Sequence, residues 1–159
     1  MPEYEPVLMD SIEIDAPIET VWSLVSDVCR MPDWSPQVRS TRLRSGHDQI
    51  GLGTQFTNLN SQDGLEWKTH GEIVRFTPLQ ELAFRIEENW AVWSFTLDRN
   101  ESGGTWLTQR RETPEGLSAM SLNLTETYLG GQDAFTRSLQ AGMRQTIERV
   151  RLAAESAAG

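Results

Sequence analysis

The chain has 159 residues, with 14 Lys and Arg against 23 Asp and Glu, a formal net charge of -9, 38% hydrophobic residues and 23% charged ones. That length suits one domain with a real core, residues 1–159 being read as a single unit, and the composition excludes a disordered chain. The charge repels nucleic acid and anionic headgroups, and no apolar run approaches the ~20 residues of a membrane span, so neither nucleic acid nor a stable membrane association is expected.

Residues 7–15 alternate and predict a strand, with Ile12 and Ile14 on one face and Ser11 and Glu13 on the other. Ala16-Pro17 stops it. Pro17 suits the first turn of a helix, Asp15 is a candidate cap, and Glu19 is favourable near the N-terminus. The helix is expected to run to about Asp27 on a stripe of Val21, Leu24, Val25 and Val28. A short turn around Pro32–Trp34 follows, ended by Pro36 and anchored by Trp34.

Strands are then expected at 37–44, 53–60, 65–76, 81–87, 91–99 and 104–113, separated by the turn signals SGHD, SQDG, TPLQ, EEN and NESGG. Links this short favour an antiparallel meander. Residues 115–132 carry a weak apolar pattern and end in Gly130-Gly131, which fits a flap on a hinge. From about Asp133 to Ala154, Phe135, Leu139, Met143, Ile147 and Val150 recur at helical spacing, with Gln132 or Asp133 as cap. Arg137, Arg144, Arg149 and Arg151 on this helix alternate with Glu148 and Glu155 and read as a solvated face.

Seven antiparallel strands and one long helix make an α+β layout. A sheet of that length curves, and one helix does not fill its concave side. Bulky side chains must fill the gap or a cavity remains. The six tryptophans serve either purpose, as core or as pocket walls.

Catalytic and metal signals are sparse. Cys29 is the single cysteine, so there is no internal disulfide. A reducing compartment is favoured, and the ordinary place for such a thiol is buried. The segment MPEYEPVLMD lacks the charged-then-apolar pattern of a secretory signal, and a cytoplasmic location is expected. His47 lies in the SGHD turn and His70 on the outward phase of its strand, so no triad assembles. No His, Cys and carboxylate set has ligand spacing and no Gly-rich phosphate loop follows a strand, so neither metal nor cofactor is expected.

Five segments make the chain recognisable: IDAPIETVWSLVSD, MPDWSP, the Trp67 strand leading to Val74 and Pro78, WSFTL followed by a Gly-Gly-Thr turn and Glu112, and AGMRQTIERVRLAAE. Over nearly its whole length the sequence resembles the START-like, helix-grip (Bet v 1-like) superfamily of pathogenesis-related allergens, lipid-transfer domains and polyketide cyclase/aromatases. Within it, the chain looks like the bacterial polyketide cyclase/dehydrase (SRPBCC) branch. The resemblance implies a helix-grip fold: a seven-stranded curved antiparallel sheet around a long C-terminal helix, with two short helices after the first strand. It constrains function loosely, because the fold hosts carriers, cyclases, hydrolases and chaperone cofactors.

The WSFTL and LEWKTHG strands are similar to cavity strands of tetracenomycin-type cyclases. That likeness implies Ala91, Trp93 and Phe95 inward, with Leu65, Trp67, Thr69 and Gly71, and leaves Glu66, Lys68 and His70 outward. The same alternation turns Phe56, Asn58 and Asn60 inward, with Leu107, Gln109 and Arg111, and Arg110 and Glu112 outward. A one-residue slip would exchange Arg111 for Arg110. Met31 falls at the mouth, Tyr128 on the flap, and Phe135, Leu139 and Met143 on the opposite wall.

Three readings follow. The first is a carrier or sensor of a small apolar molecule, aromatic or polycyclic. The second is a cyclase/aromatase-like enzyme acting through cavity shape and a few polar groups, and the third is a protein-interaction module. A substantial cavity separates the first two from the third, and a buried proton-transfer group reaching it separates the second from the first.

Overall fold

Seven strands form one antiparallel sheet: β1 (Val7–Ile14), β2 (Val38–Leu43), β3 (Gln55–Gln62), β4 (Leu65–Thr77), β5 (Glu81–Ile86), β6 (Val92–Arg99) and β7 (Thr105–Glu112). Their order is β1-β7-β6-β5-β4-β3-β2, so β2 to β7 run as a meander and β1 closes onto β7. The computed structural model describes residues 7–44, 46, 48–62, 64–88, 90–113 and 132–158, and in the last segment the side chains of 136–157. Residues 115–131 of the expected flap lie outside the described residues, with Tyr128, as does the side chain of Phe135, and Gln132 already belongs to the long helix. This is the helix-grip fold, and the sheet and long helix are those expected from the sequence.

Between β1 and β2 lie α1 (Ile18–Val25), a 3-10 turn (Val28–Arg30) and α2 (Met31–Trp34). Pro17 itself takes the N-cap position of α1, with extended backbone and no side-chain cap, so Asp15 stands too far back to cap it. Asp15 instead donates its backbone N–H to Glu155 Oε2 at 3.0 Å. α1 ends at Val25, two residues short of Asp27, because Asp27 caps the 3-10 turn by accepting from the Cys29 N–H at 3.2 Å. Cys29 is thereby exposed rather than buried. Trp34 at the end of α2 is 3% exposed and joins the main core, anchoring the turn as expected.

β3 begins at Gln55 because Thr54 closes a turn before it. Thr54 Oγ1 accepts from the Gly51 N–H at 2.9 Å and donates to the Gln49 carbonyl at 2.8 Å. The long helix spans Gln132–Ala158, so Gln132 and Asp133 are helical residues and not caps. It outlasts the expected end because the alanine-rich tail propagates helix well, and Arg151 and Glu155 pair across one turn at 3.2 Å. Arg144 similarly pairs with Glu148 and with Asp10, which fits the solvated face.

Leu139, Met143, Ile147, Val150 and Ala154 form the buried stripe of this helix, and its two halves meet different partners. Ile147, Val150 and Ala154 pack into one core with Ile12, Ile14, α1, Leu97 and Leu107. Thr105 is fully buried there, and its Oγ1 donates to the Ala16 carbonyl at 2.8 Å, tying β7 to the β1–α1 corner. Leu139 and Met143 form a separate cluster with Leu8 and the partly buried Trp93 among the described residues. A third cluster of Val28, Phe56, Ile73, Leu82, Phe84 and Ile86 lies over β3 to β5. The helix thus closes the sheet at one end and stands off it at the other.

Candidate functional site

At the standing-off end a cavity of about 150 Å³ opens between the concave sheet face and the long helix. Alternation along four strands delivers its walls. β3 presents Asn58 and Asn60, β4 presents Trp67 and Thr69, β6 presents Trp93 and Phe95, and β7 presents Gln109 and Arg111. Leu139 and Met143 of the helix face them, and Met31 of α2 closes one side. The structure thus brings together every expected site residue whose side chain is described except Phe56.

Phe56 is fully buried and does not line the cavity. Its ring lies against Gly71, its partner across β3–β4, and edge-on to Phe84 at 5.3 Å between centroids. The glycine leaves a hole on the inward face of β4, and the phenyl ring fills it. Ala91, also on the inward phase, is buried outside the lining.

Further walls come from the segment Trp34–Val38, from Phe84 and Ile86 of β5, and from Gly142 and Thr146 of the helix. Phe84 and Ile86 share one strand phase, and Gly142 and Thr146 follow Leu139 and Met143 at helical spacing, so periodicity held that signal. The Trp34–Val38 wall had no periodic signal. Gly142 faces Pro36 with room for a Cβ at ordinary contact distance, and Thr146 Oγ1 donates back to the Gly142 carbonyl at 2.8 Å.

The polar groups divide into those committed to the sheet and those facing the void. Asn58 Oδ1 accepts from Thr41 Oγ1 at 2.7 Å. Asn60 Nδ2 donates to Thr69 Oγ1 at 3.0 Å and to the Trp67 carbonyl at 3.3 Å. Both amides therefore brace the sheet. Gln109 is 7% exposed, and its Oε1 accepts no hydrogen bond among the described residues. Arg111 is 4% exposed. Burial lowers its guanidinium to about 10, which leaves it charged at neutral pH. Arg110 points the other way and donates to Thr96 Oγ1 at 3.2 Å.

The tryptophans split by role. Trp34 is core, Trp22 packs edge-on against Phe76, Trp90 and Trp106 are exposed, and Trp67 and Trp93 are half-buried along the cavity. Partial desolvation of the largely exposed Cys29, then the neighbouring Asp27 carboxylate, push its thiol up, which disfavours a nucleophilic thiolate.

His70 is outward, as its strand phase implies. It meets Glu87 and Glu88, forming a three-ligand cluster that sequence spacing did not reveal because the β4–β5 pairing assembles it. Glu88 accepts from the His70 backbone N–H at 2.7 Å and lies 2.6 Å from His70 Nδ1, and Arg44 sits 3.6 Å from Glu87. The cluster is already bridged by its own bonds and by a cation.

A curved sheet gripping a helix over an aromatic cavity defines the helix-grip class. The chain belongs to the polyketide cyclase / dehydrase and lipid transport family, which matches residues 7–155. Among solved structures it is similar to the di-domain ARO/CYC StfQ from the steffimycin biosynthetic pathway, with a TM-score of 0.77 at 13% identity, covering 99% of this chain and 53% of that one. It is also similar to the di-domain ARO/CYC BexL from the BE-7585A biosynthetic pathway, with a TM-score of 0.72 at 19% identity and coverage of 97% and 51%. The chain thus spans about half the length of each. Major latex-like protein 151 from Panax ginseng matches with a TM-score of 0.59 at 18% identity, covering 85% of this chain and 95% of that one. At such identities the likeness establishes the fold. No curated protein matches the sequence. No helix among the described residues is long and apolar enough to cross a membrane.

Proposed function

We propose that this chain, folding as one domain, binds a small apolar molecule with an aromatic body in its internal cavity and serves as a carrier or sensor of it. One observation carries the reading. Trp67 and Trp93 sit on the inward phase of their strands, stay half-buried and line a void of about 150 Å³, although Trp93 also packs on one side against buried side chains of the sheet and the helix. Broad aromatic walls with few polar groups suit such a ligand. Met31 and Met143 add adaptable surface.

Membership of a polyketide cyclase / dehydrase and lipid transport family supports a second reading, an enzyme that folds or dehydrates its ligand. Among the described lining residues, Arg111 alone carries an ionisable side chain. A guanidinium is a poor general acid or base at neutral pH, and this favours carriage over proton-transfer chemistry.

Titrating tryptophan fluorescence with flat aromatic compounds tests binding, and native mass spectrometry of protein from its own host identifies what travels with it. Saturable quenching is expected. Quenching by no compound, with no bound mass, would remove the reading, and a product of altered mass would favour the enzyme.

A further inference from the structure

The cavity's polar end specifies more than an apolar guest. Gln109 and Arg111 lie two apart on β7 and both line the void, so their backbones stand roughly 6.7 Å apart. Gln109 is more than nine-tenths buried, and its Oε1 lacks a donor among the described residues. A buried acceptor left unsatisfied is costly, and a ligand that brings a donor relieves that cost. Arg111 adds a buried positive charge, and a guanidinium has five N–H donors, enough to hold protein partners and still offer hydrogen bonds to a ligand. The two residues therefore ask opposite things of a guest: a hydrogen-bond donor at one point and an oxyanion at the next.

Size narrows the guest further. A void on the order of 150 Å³ takes one benzene-sized ring. A polycyclic body needs more room than that volume offers. The span between a carboxylate and a hydroxyl on opposite sides of a benzene ring is comparable to the Gln109–Arg111 spacing.

We infer that the cavity selects a single-ring aromatic acid with a hydrogen-bond donor opposite its acid group, the donor meeting Gln109 Oε1 and the carboxylate meeting Arg111. This rests on the ligand-binding reading above and names its chemical class. The ortho isomer fits poorly, because its hydroxyl hydrogen is already held by its own carboxylate. A methyl ether in place of the hydroxyl keeps the shape and removes the donor.

The test compares the affinities of 4-hydroxybenzoate, benzoate, 4-methoxybenzoate and 2-hydroxybenzoate by tryptophan quenching, with neutral anthracene as a larger control. In the wild type, 4-hydroxybenzoate should bind about tenfold tighter than the other three acids, the gain expected from satisfying one buried acceptor. In Gln109→Met the ratio of 4-hydroxybenzoate to benzoate affinity should fall to about one, whatever the absolute affinities. The comparison with 4-methoxybenzoate needs no variant and stands even if Gln109→Met fails to fold. Equal binding of 4-hydroxybenzoate and 4-methoxybenzoate, or a ratio that survives in Gln109→Met, overturns the inference. Binding of anthracene with no binding of any acid also overturns it but leaves the cavity reading intact. Quenching by none of the five removes both.

Discussion

The ring of Phe56 occupies the space that a side chain at Gly71 would need. A methyl group at 71 would stand 2.7 Å from Phe56 Cε2, well inside any tolerated contact. The two residues are direct cross-strand partners, and Phe56 is fully buried between Gly71 and Phe84. Gly71→Ala should therefore destabilise the fold by about 1–3 kcal/mol, the usual cost of overpacking. In a Phe56→Ala background, itself down by about 3–5 kcal/mol, the same change should cost nothing or help. Denaturant unfolding of the four proteins in this cycle measures the coupling. Additive effects would mean that Phe56 moves aside freely.

Gly142 presents the opposite case. It sits inside the long helix, and a Cβ there would lie 3.7 Å from Pro36 Cγ, an ordinary contact. Glycine in a helix interior is disfavoured relative to alanine by about 0.5–1 kcal/mol. Gly142→Ala should raise stability by that amount and bring a methyl group to the cavity wall. A fall in Tm would show that the α2–β2 segment does not tolerate the added atom.

Strand phase and helix phase make most of the cavity wall legible in the sequence. Trp67, Trp93, Gln109 and Arg111 follow from alternation under one register, and Leu139 and Met143 from helical spacing. Alternation fixes which face a side chain occupies and says nothing of how full that face is. Phe56 is inward and yet lies in solid core, because the neighbouring strand has a glycine at the facing position. The Trp34–Val38 wall had no periodicity to read, since Pro36 breaks it. The roles of the asparagines were equally hidden. Whether Asn60 offers its amide to a ligand or spends it on Thr69 depends on the cross-strand register.

Trp93 tests whether the cavity is a void or a soft core. It lines the void and packs, partly buried, against both the Leu139–Met143 cluster and the cluster of Phe84 and Ile86. A side chain with empty space on one face has already forgone part of its packing attraction. Trp93→Ala should then cost about 1–2 kcal/mol, well below the 3–5 kcal/mol usual for a large core aromatic. Affinity for an aromatic ligand should drop at least tenfold. A variant that loses 4 kcal/mol or more in denaturant unfolding would identify Trp93 as core.

Arg111 gives ligand binding a pH signature. Burial lowers its guanidinium to about 10, so in the free protein it is charged below that pH and loses its proton above it. The sign for binding follows from which form an anion prefers. An aromatic carboxylate, ionised throughout this range, gains from the charged guanidinium. Its affinity should be flat from about pH 7 to 9 and fall about tenfold per pH unit once the pH passes 10. The matching neutral amide gains nothing from the charge and should bind with no such break, which separates side-chain titration from alkaline unfolding. In Arg111→Lys the same burial acts on a group of lower ordinary pKa, so the fall should begin at lower pH. Fluorescence titrations of benzoate and benzamide, which carry no phenol to ionise in this range, at pH 7, 9, 10.5 and 11 measure both. A parallel decline of acid and amide, or a break that does not shift in Arg111→Lys, would mean that the Arg111 charge does not meet the ligand.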